Sequence, residues 1–229
     1  GDDAIYDEML GGAGLLISDL STDILIMDCM FRNFSSSAGP GGAIAVHRAD
    51  SKVSVLFSRV VFQDNRALNS NGGALFSSGV LSVNIEGTSF QRNSAQNGGA
   101  VYLASGDGVS TLWMSNSTAE KNTAFDKGGA IFMDSTTLCH ISQSNFTGSE
   151  ASEGAVVYTQ AGGLNVWGSH LDFSDSRKEG AIMCISSRIK LEKSSLRENR
   201  GSALSGLRCK LSIFESTFRA NIGSLGGAV

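Results

Sequence analysis

With 229 residues, 41% of them hydrophobic, 28 Gly and a single Pro, the chain can bury a long, narrow core as one domain. A formal net charge of −4 spread along the sequence, with no basic tract, argues against nucleic acid and against a charged membrane surface as partners. No run of 18 apolar residues provides for direct membrane insertion, and no stretch reads as a signal peptide or targeting tail.

Along the chain the first recurring element is Gly-Gly-Ala. It ends at Ala13, returns in PGGAIAV (40–46), NGGALFS (71–77), NGGAVYL (97–103) and KGGAIFM (127–133), weakens around Ala155, Ala181 and Ala203, and recurs at Ala228. A phosphate-binding Gly loop occurs once per domain, whereas a motif that returns every 22 to 31 residues marks a stacked array. A second element runs in phase with the first: FQDN (62–65), FQRN (90–93), AEKN (119–122), FTGS (146–149), FSDS (173–176), LREN (196–199) and FRAN (218–221).

Between the two elements apolar positions alternate with polar ones, the signature of half-buried strands. Seven residues before each second motif stand Ile24, Val55, Val83, Leu112, Cys139, Val166, Ile189 and Leu211. Five before it stand Ile26, Phe57, Ile85, Met114, Ile141, Gly168, Leu191 and Ile213. The residue after each GGA is again apolar, from Ile44 and Leu75 to Val156, Ile182 and Leu204. No apolar stripe of helical period competes. Each repeat therefore predicts two or three short strands that cannot bury their apolar face alone. Stacking coils of about 25 residues at ~4.8 Å solves that problem. The expected fold is all-β: a right-handed parallel β-helix of eight or nine coils, a single solenoid domain over 1–229, and a fragment of a longer protein because solenoids end in capping segments.

The phased pair, GGA followed by Ile, Leu or Val and then Phe-x-x-Asn, resembles the repeats of the chlamydial polymorphic membrane proteins over nearly all of residues 11–229. Members of that family are surface-displayed β-helical passengers linked to adhesion. The resemblance thus implies a non-catalytic scaffold or adhesin segment, extracellular or at the cell surface, whose partners are other proteins or surface glycans. Departures from the pattern fall at Glu153 and Glu179, where Gly is lost, at Ser202 in place of the second Gly, and at Ser149 and Ser176 in place of Asn.

Two outward columns carry the candidate partner-binding or glycan-binding residues. Six positions before the second motif, Trp113, His140 and Trp167 stand 27 residues apart each time, which predicts three rings on one face of three successive coils. Two after the GGA alanine, Phe76, Tyr102 and Phe132 form a second line, between Ala45 and Val157. Such ladders either brace the sheet, at roughly 0.2–1 kcal/mol per pair, or leave an apolar stripe for a partner. Assembly with further repeats or further copies fits the same stacking logic.

Asn33, Asn116 and Asn145 lie in N-glycosylation sequons. The four Cys fit no disulfide framework and read as small buried hydrophobes, although Cys184 and Cys209, one coil apart, are within reach of a bridge. The alternative function is a polysaccharide-acting β-helix enzyme, which needs Asp or Glu on neighbouring strands of one outward column. In the predicted strands the acids are scattered, and Asp172 with Asp175 reads as a solvated turn. His47, His140 and His170 lack metal spacing, so neither a metal nor a cofactor is expected.

Overall fold

The computed structural model describes residues 12–18, 21–47, 53–104, 109–135 and 137–223. They form strands and turns wound as a right-handed parallel β-solenoid. One coil gives the plan. Leu75–Ser78, Ser82–Glu86, Ser89–Gln91 and Ser94–Asn97 are four strands, each paired in parallel with its counterparts one coil away on either side. Three sheets of eight strands and a fourth of six result. Six coils of about 27 residues carry all four strands, where coils of about 25 were expected. The last two coils have three strands, with isolated bridges at Arg200 and Ile222 in place of the fourth. Fourth strands such as Ser35–Ser36 and Arg66–Ala67 are two residues long, too short to leave an alternating signal, so the repeat reads as two or three strands. The final GGA, at 226–228, lies outside the described residues.

The GGA motif turns the chain from the fourth sheet into the first. Gly72 holds a φ of +70°, which favours glycine. A Cβ on Gly73 would run into the Gly99 carbonyl oxygen of the next coil. Ala74 is fully buried. The amides of Gly72, Gly73, Ala74 and Leu75 all donate to carbonyls of the following coil, at 2.9–3.1 Å, so they are not available to cradle a phosphate.

Polar side chains pointing into the solenoid fix each coil on the next. The Asn65 amide nitrogen donates to Asn93 Oδ1 (3.0 Å) and to the Phe31 carbonyl (2.9 Å), and Asn93 Oδ1 also accepts from the Asn65 backbone N–H (3.1 Å). Asn93 repeats the pattern with Asn122 and Phe62, and Asn199 repeats it with Asn221 and Leu171. A second ladder uses hydroxyls: the backbone N–H groups of Thr88, Ser117, Ser144 and Ser169 donate to Ser117, Ser144, Ser169 and Ser194 Oγ at 3.1–3.3 Å. These buried groups satisfy turn amides that would otherwise be orphaned.

The apolar core consists of two columns in the second sheet, lined further by the other sheets. The first runs Val55, Val83, Leu112, Cys139, Leu164 and Ile189. The second runs Phe57, Ile85, Met114, Ile141, Val166 and Leu191, and every member of both is at most 2% exposed. Phe31, Phe62 and Phe90 stack in the third sheet at 5.3 and 5.0 Å.

Val166 therefore pairs with Ile141, not with Cys139 as expected, and Gly168 is a turn residue with φ +56° rather than a core position. The cause is the phase of one coil. Leu171 pairs with Phe146 and is fully buried, so residues 171–174, not 173–176, carry the turn motif. Phe173 is exposed at φ +56°, in the place that Asp64, Arg92 and Lys121 fill in other coils, and the Asn position falls on Ser174 rather than Ser176. The GGA frame slips too: Lys127 bridges Glu153 and Ile131 pairs with Val157. The positive-φ glycine is thus Gly154, and Ala155 replaces the second Gly.

Cys184 and Cys209 form a disulfide across 25 residues. Gly206 makes room for it, since a Cβ there would stand 2.5 Å from Cys184 Sγ. Cys139 is a buried free thiol and Cys29 an exposed one.

Replacing Asn93 by Ala strips the Asn65 amides of their acceptor and Phe62 O of its donor, and is expected to cost about 2–5 kcal/mol in chemical denaturation. Ser149 marks the gap in the ladder: it is fully buried and its Oγ lacks a hydrogen-bond partner. Ser149→Asn is expected to extend the ladder from Asn122 and to stabilise the fold by about 1 kcal/mol, read as a rise in melting temperature.

Candidate functional site

The outer face of the second sheet presents three parallel columns. In the middle one, Leu25, Leu56, Asn84, Trp113, His140, Asn165, Lys190 and Ser212 stand in register. Trp113 and His140 stack with centroids 4.0 Å apart and planes 9° from parallel. Because stacked rings meet face to face along the solenoid axis, they turn their edges to solvent, and the pair is not a flat strip. The remaining face of Trp113 overlooks Asn84, whose amide is held down by a 3.1 Å bond to Ser82 Oγ. His140 Nδ1 lies 3.2 Å from Asn165 Nδ2, in hydrogen-bond contact. Burial holds the His140 pKa below its ordinary value.

Trp167 does not join this column. The two-residue phase error described above moves it to the neighbouring one, between Ser142 and Glu192. Two coils at ~4.8 Å and two residues at ~3.3 Å separate it from Trp113, placing the two Cα atoms roughly 12 Å apart. Both indoles are accessible, Trp113 at 49% and Trp167 at 43%, and the residues between them, Ser115, Ser142 and Asn165, are polar.

On the first sheet Phe76, Tyr102 and Phe132 stack in series at 5.4 and 4.6 Å, as expected, and Tyr158 continues the ladder at 5.2 Å. Tyr158 was hidden from sequence reading by the slipped frame, which put Val157 in its place. Phe132 and Tyr158 are buried, and Phe76 and Tyr102 half-buried. Desolvation pushes the pKa of both tyrosines up to about 12. Lys127 Nζ sits 5.1 Å from the Tyr158 ring centroid.

Asn33, Asn116 and Asn145 are all exposed, the first two in turns with φ of 60° and 49°. Among the described residues no group of three His, Cys, Asp or Glu is placed to hold a metal ion. Burial raises the Cys139 thiol far above its ordinary pKa, which suits a packing residue rather than a nucleophile. Asp172 is buried and tied to Arg197 at 2.7 Å, so it is a structural anchor, not the solvated turn expected.

The fourth sheet, absent from the sequence reading, brings together two carboxylates. Glu150 and Asp175 stand in register on successive coils, beside a groove of about 430 Å³ that Arg66, Phe125 and Arg177 also line. Arg200 Nη1 lies 3.3 Å from Asp175 Oδ2.

Truncating Trp113 or Trp167 to Ala is expected to cost about 1 kcal/mol each. The two changes should add to within about 0.5 kcal/mol because the residues do not touch. Trp113→Ala and His140→Ala should instead show a coupling of ~0.5–1.5 kcal/mol in a double-mutant cycle of denaturant melts.

Residues 59–78 match the family model described as the Chlamydia polymorphic membrane protein repeat. The matched segment runs from the turn at Arg59 through the Phe62–Asn65 corner and the GGA at 72–74 to the first-sheet strand, so it covers one corner-to-corner unit of the solenoid. No curated protein and no solved structure matches the chain. The chain thus carries a polymorphic membrane protein repeat within a parallel β-solenoid, a combination consistent with a passenger of that type.

Proposed function

We propose that the protein is a non-catalytic, surface-displayed β-solenoid scaffold or adhesin segment that binds protein or glycan partners along its side. The observation that carries this reading is the pair of accessible indoles on the outer face of the second sheet, one of them backed by a stacked imidazole. Aromatic anchors are the side chains that tend to dominate recognition energies. The matched repeat family and the rigid solenoid, which holds every outward residue at a fixed height, support a display role. A disulfide that persists belongs to an oxidising compartment, in line with an extracellular or cell-surface location. Exposed sequons at Asn33, Asn116 and Asn145 are compatible with passage through a glycosylating pathway.

A second reading rests on Glu150 and Asp175, the one carboxylate pair in direct register among the strand pairs of the described residues. Neighbouring carboxylates flanking a groove are the minimum for cleaving a glycosidic bond. Asp175 is engaged by Arg200, and Glu150 is exposed to water, which favours a scaffold over an acid–base pair.

A glycan array combined with depolymerisation assays on neutral and acidic polysaccharides separates the two. The scaffold reading predicts saturable binding that weakens about tenfold or more with Trp113→Ala or Trp167→Ala, and no chain cleavage. Turnover that disappears with Glu150→Gln or Asp175→Asn would replace it with the enzyme.

A further inference from the structure

Towards the carboxy-terminal coils the face that carries the tryptophans becomes cationic. Arg188 and Lys210 stand directly opposite one another on adjacent strands, in the column beside Lys190. Arg208, in the turn two residues before Lys210, adds a fourth cation at φ +58°. All four side chains belong to exposed residues. Lys190 is neutralised by Glu192 at 2.8 Å, but among the described residues Arg188, Arg208 and Lys210 make no ion pair. Like charges directly opposite on neighbouring strands destabilise a sheet. They occur here in a chain whose net charge is −4, so the positive charge is concentrated rather than a reflection of overall composition.

Resting on the binding face argued above, we propose that the second sheet takes a linear acidic polysaccharide of the polyuronate class, laid along the solenoid axis. The chain's carboxylates meet Arg188, Arg208 and Lys210, and its sugar rings meet Trp167, with the solvent-facing edge of Trp113 further along the same path. The two halves of the site are continuous: Trp167 pairs with Glu192 on the strand that carries Arg188, and the indole of Trp113 lies four coils, or roughly 19 Å, from Lys210. A uronate fits both halves at once. Its carboxylate sits on the edge of the sugar ring and leaves the C–H faces bare for an indole, whereas a heavily sulfated chain crowds those faces with charge. Arginine grips a carboxylate through paired N–H donors, and the adjacent lysine adds a point charge. Strand pairing is what completes the patch, since it sets Arg188 of one coil against Lys210 of the next, 22 residues further along the chain, with Arg208 in the turn that leads into Lys210.

The test is direct titration of the full chain with polygalacturonate, its fully methyl-esterified form, dextran sulfate, a neutral β-glucan, and vesicles containing anionic lipid. Expected is binding to polygalacturonate that falls at least about tenfold on esterification, in the Arg188→Gln/Lys210→Gln double variant, and in Trp167→Ala, with steep weakening by salt. The double variant should melt no lower than the parent, because it relieves a like-charge contact. Equal binding to the ester, equal binding by both variants, or binding only to dextran sulfate or to vesicles would overturn the proposal. If polygalacturonate fails but the neutral glucan binds in a Trp113- and Trp167-dependent way, the lateral binding face survives and only the acidic ligand is lost.

Discussion

A buried asparagine amide must place two donors and an acceptor. At Asn65 and Asn93 all of them are placed on the neighbouring coils, and Asn122 places its acceptor and one donor there. That requirement sets the height and phase of the coils that carry the asparagine. An apolar column tolerates a slip, because Val, Ile, Leu and Met exchange places at little cost. An amide that must meet a backbone carbonyl at 2.9 Å and the next amide at 3.0 Å does not. The hydroxyl ladder at Thr88, Ser117, Ser144 and Ser169 applies the same constraint at a second corner. Between these two corners the strands have fixed length, and length variation from coil to coil is absorbed in the loops.

A core locked in this way makes the outside of the solenoid a lattice on which side chains are set at fixed heights. Trp113 and His140 stack because strand pairing brings them opposite one another, and Arg188 faces Lys210 for the same reason. Function on such a scaffold is written by choosing which lattice points carry rings or charges, with no need for a closed pocket. The first-sheet ladder from Phe76 to Tyr158 shows the other use of the same lattice: rings in series that become buried, turning an outward column into a brace.

The repeat, the strand-rich fold, the parallel stacking and most inward columns were legible in the sequence, because GGA, Phe-x-x-Asn and the alternating residues between them each have a local physical cause. The phase of the coil at 154–176 was not. Both Leu171–Ser174 and Phe173–Ser176 satisfy a bulky-x-x-Ser pattern, and the larger aromatic is the wrong choice: Phe173 occupies a left-handed turn position and faces water. That choice propagated outward by two residues and drew Trp167 into the wrong column, while a separate one-residue slip at Ala155 left Tyr158 out of the right one. The fourth sheet was missed for a different reason. Strands of two residues contain no period to detect, so the Glu150–Asp175 pair could be found only through the coil geometry. The cationic patch at Arg188, Arg208 and Lys210 is likewise a product of stacking.

The register of that coil is also where the structure is most directly testable, since Cys139 is a buried free thiol with one in-register partner on the following coil, Leu164. Cysteines on directly paired parallel strands fall within the Cα separation of about 4.4–6.8 Å that a disulfide spans. Introducing Leu164→Cys and, separately, Val166→Cys, oxidising each variant and mapping the bridges by mass spectrometry of non-reduced digests reads the register chemically. A bridge from Cys139 to the thiol introduced at position 164, and none to that introduced at position 166, is the expected result. Efficient bridging to position 166 instead would contradict the ladder-determined register and every surface column derived from it.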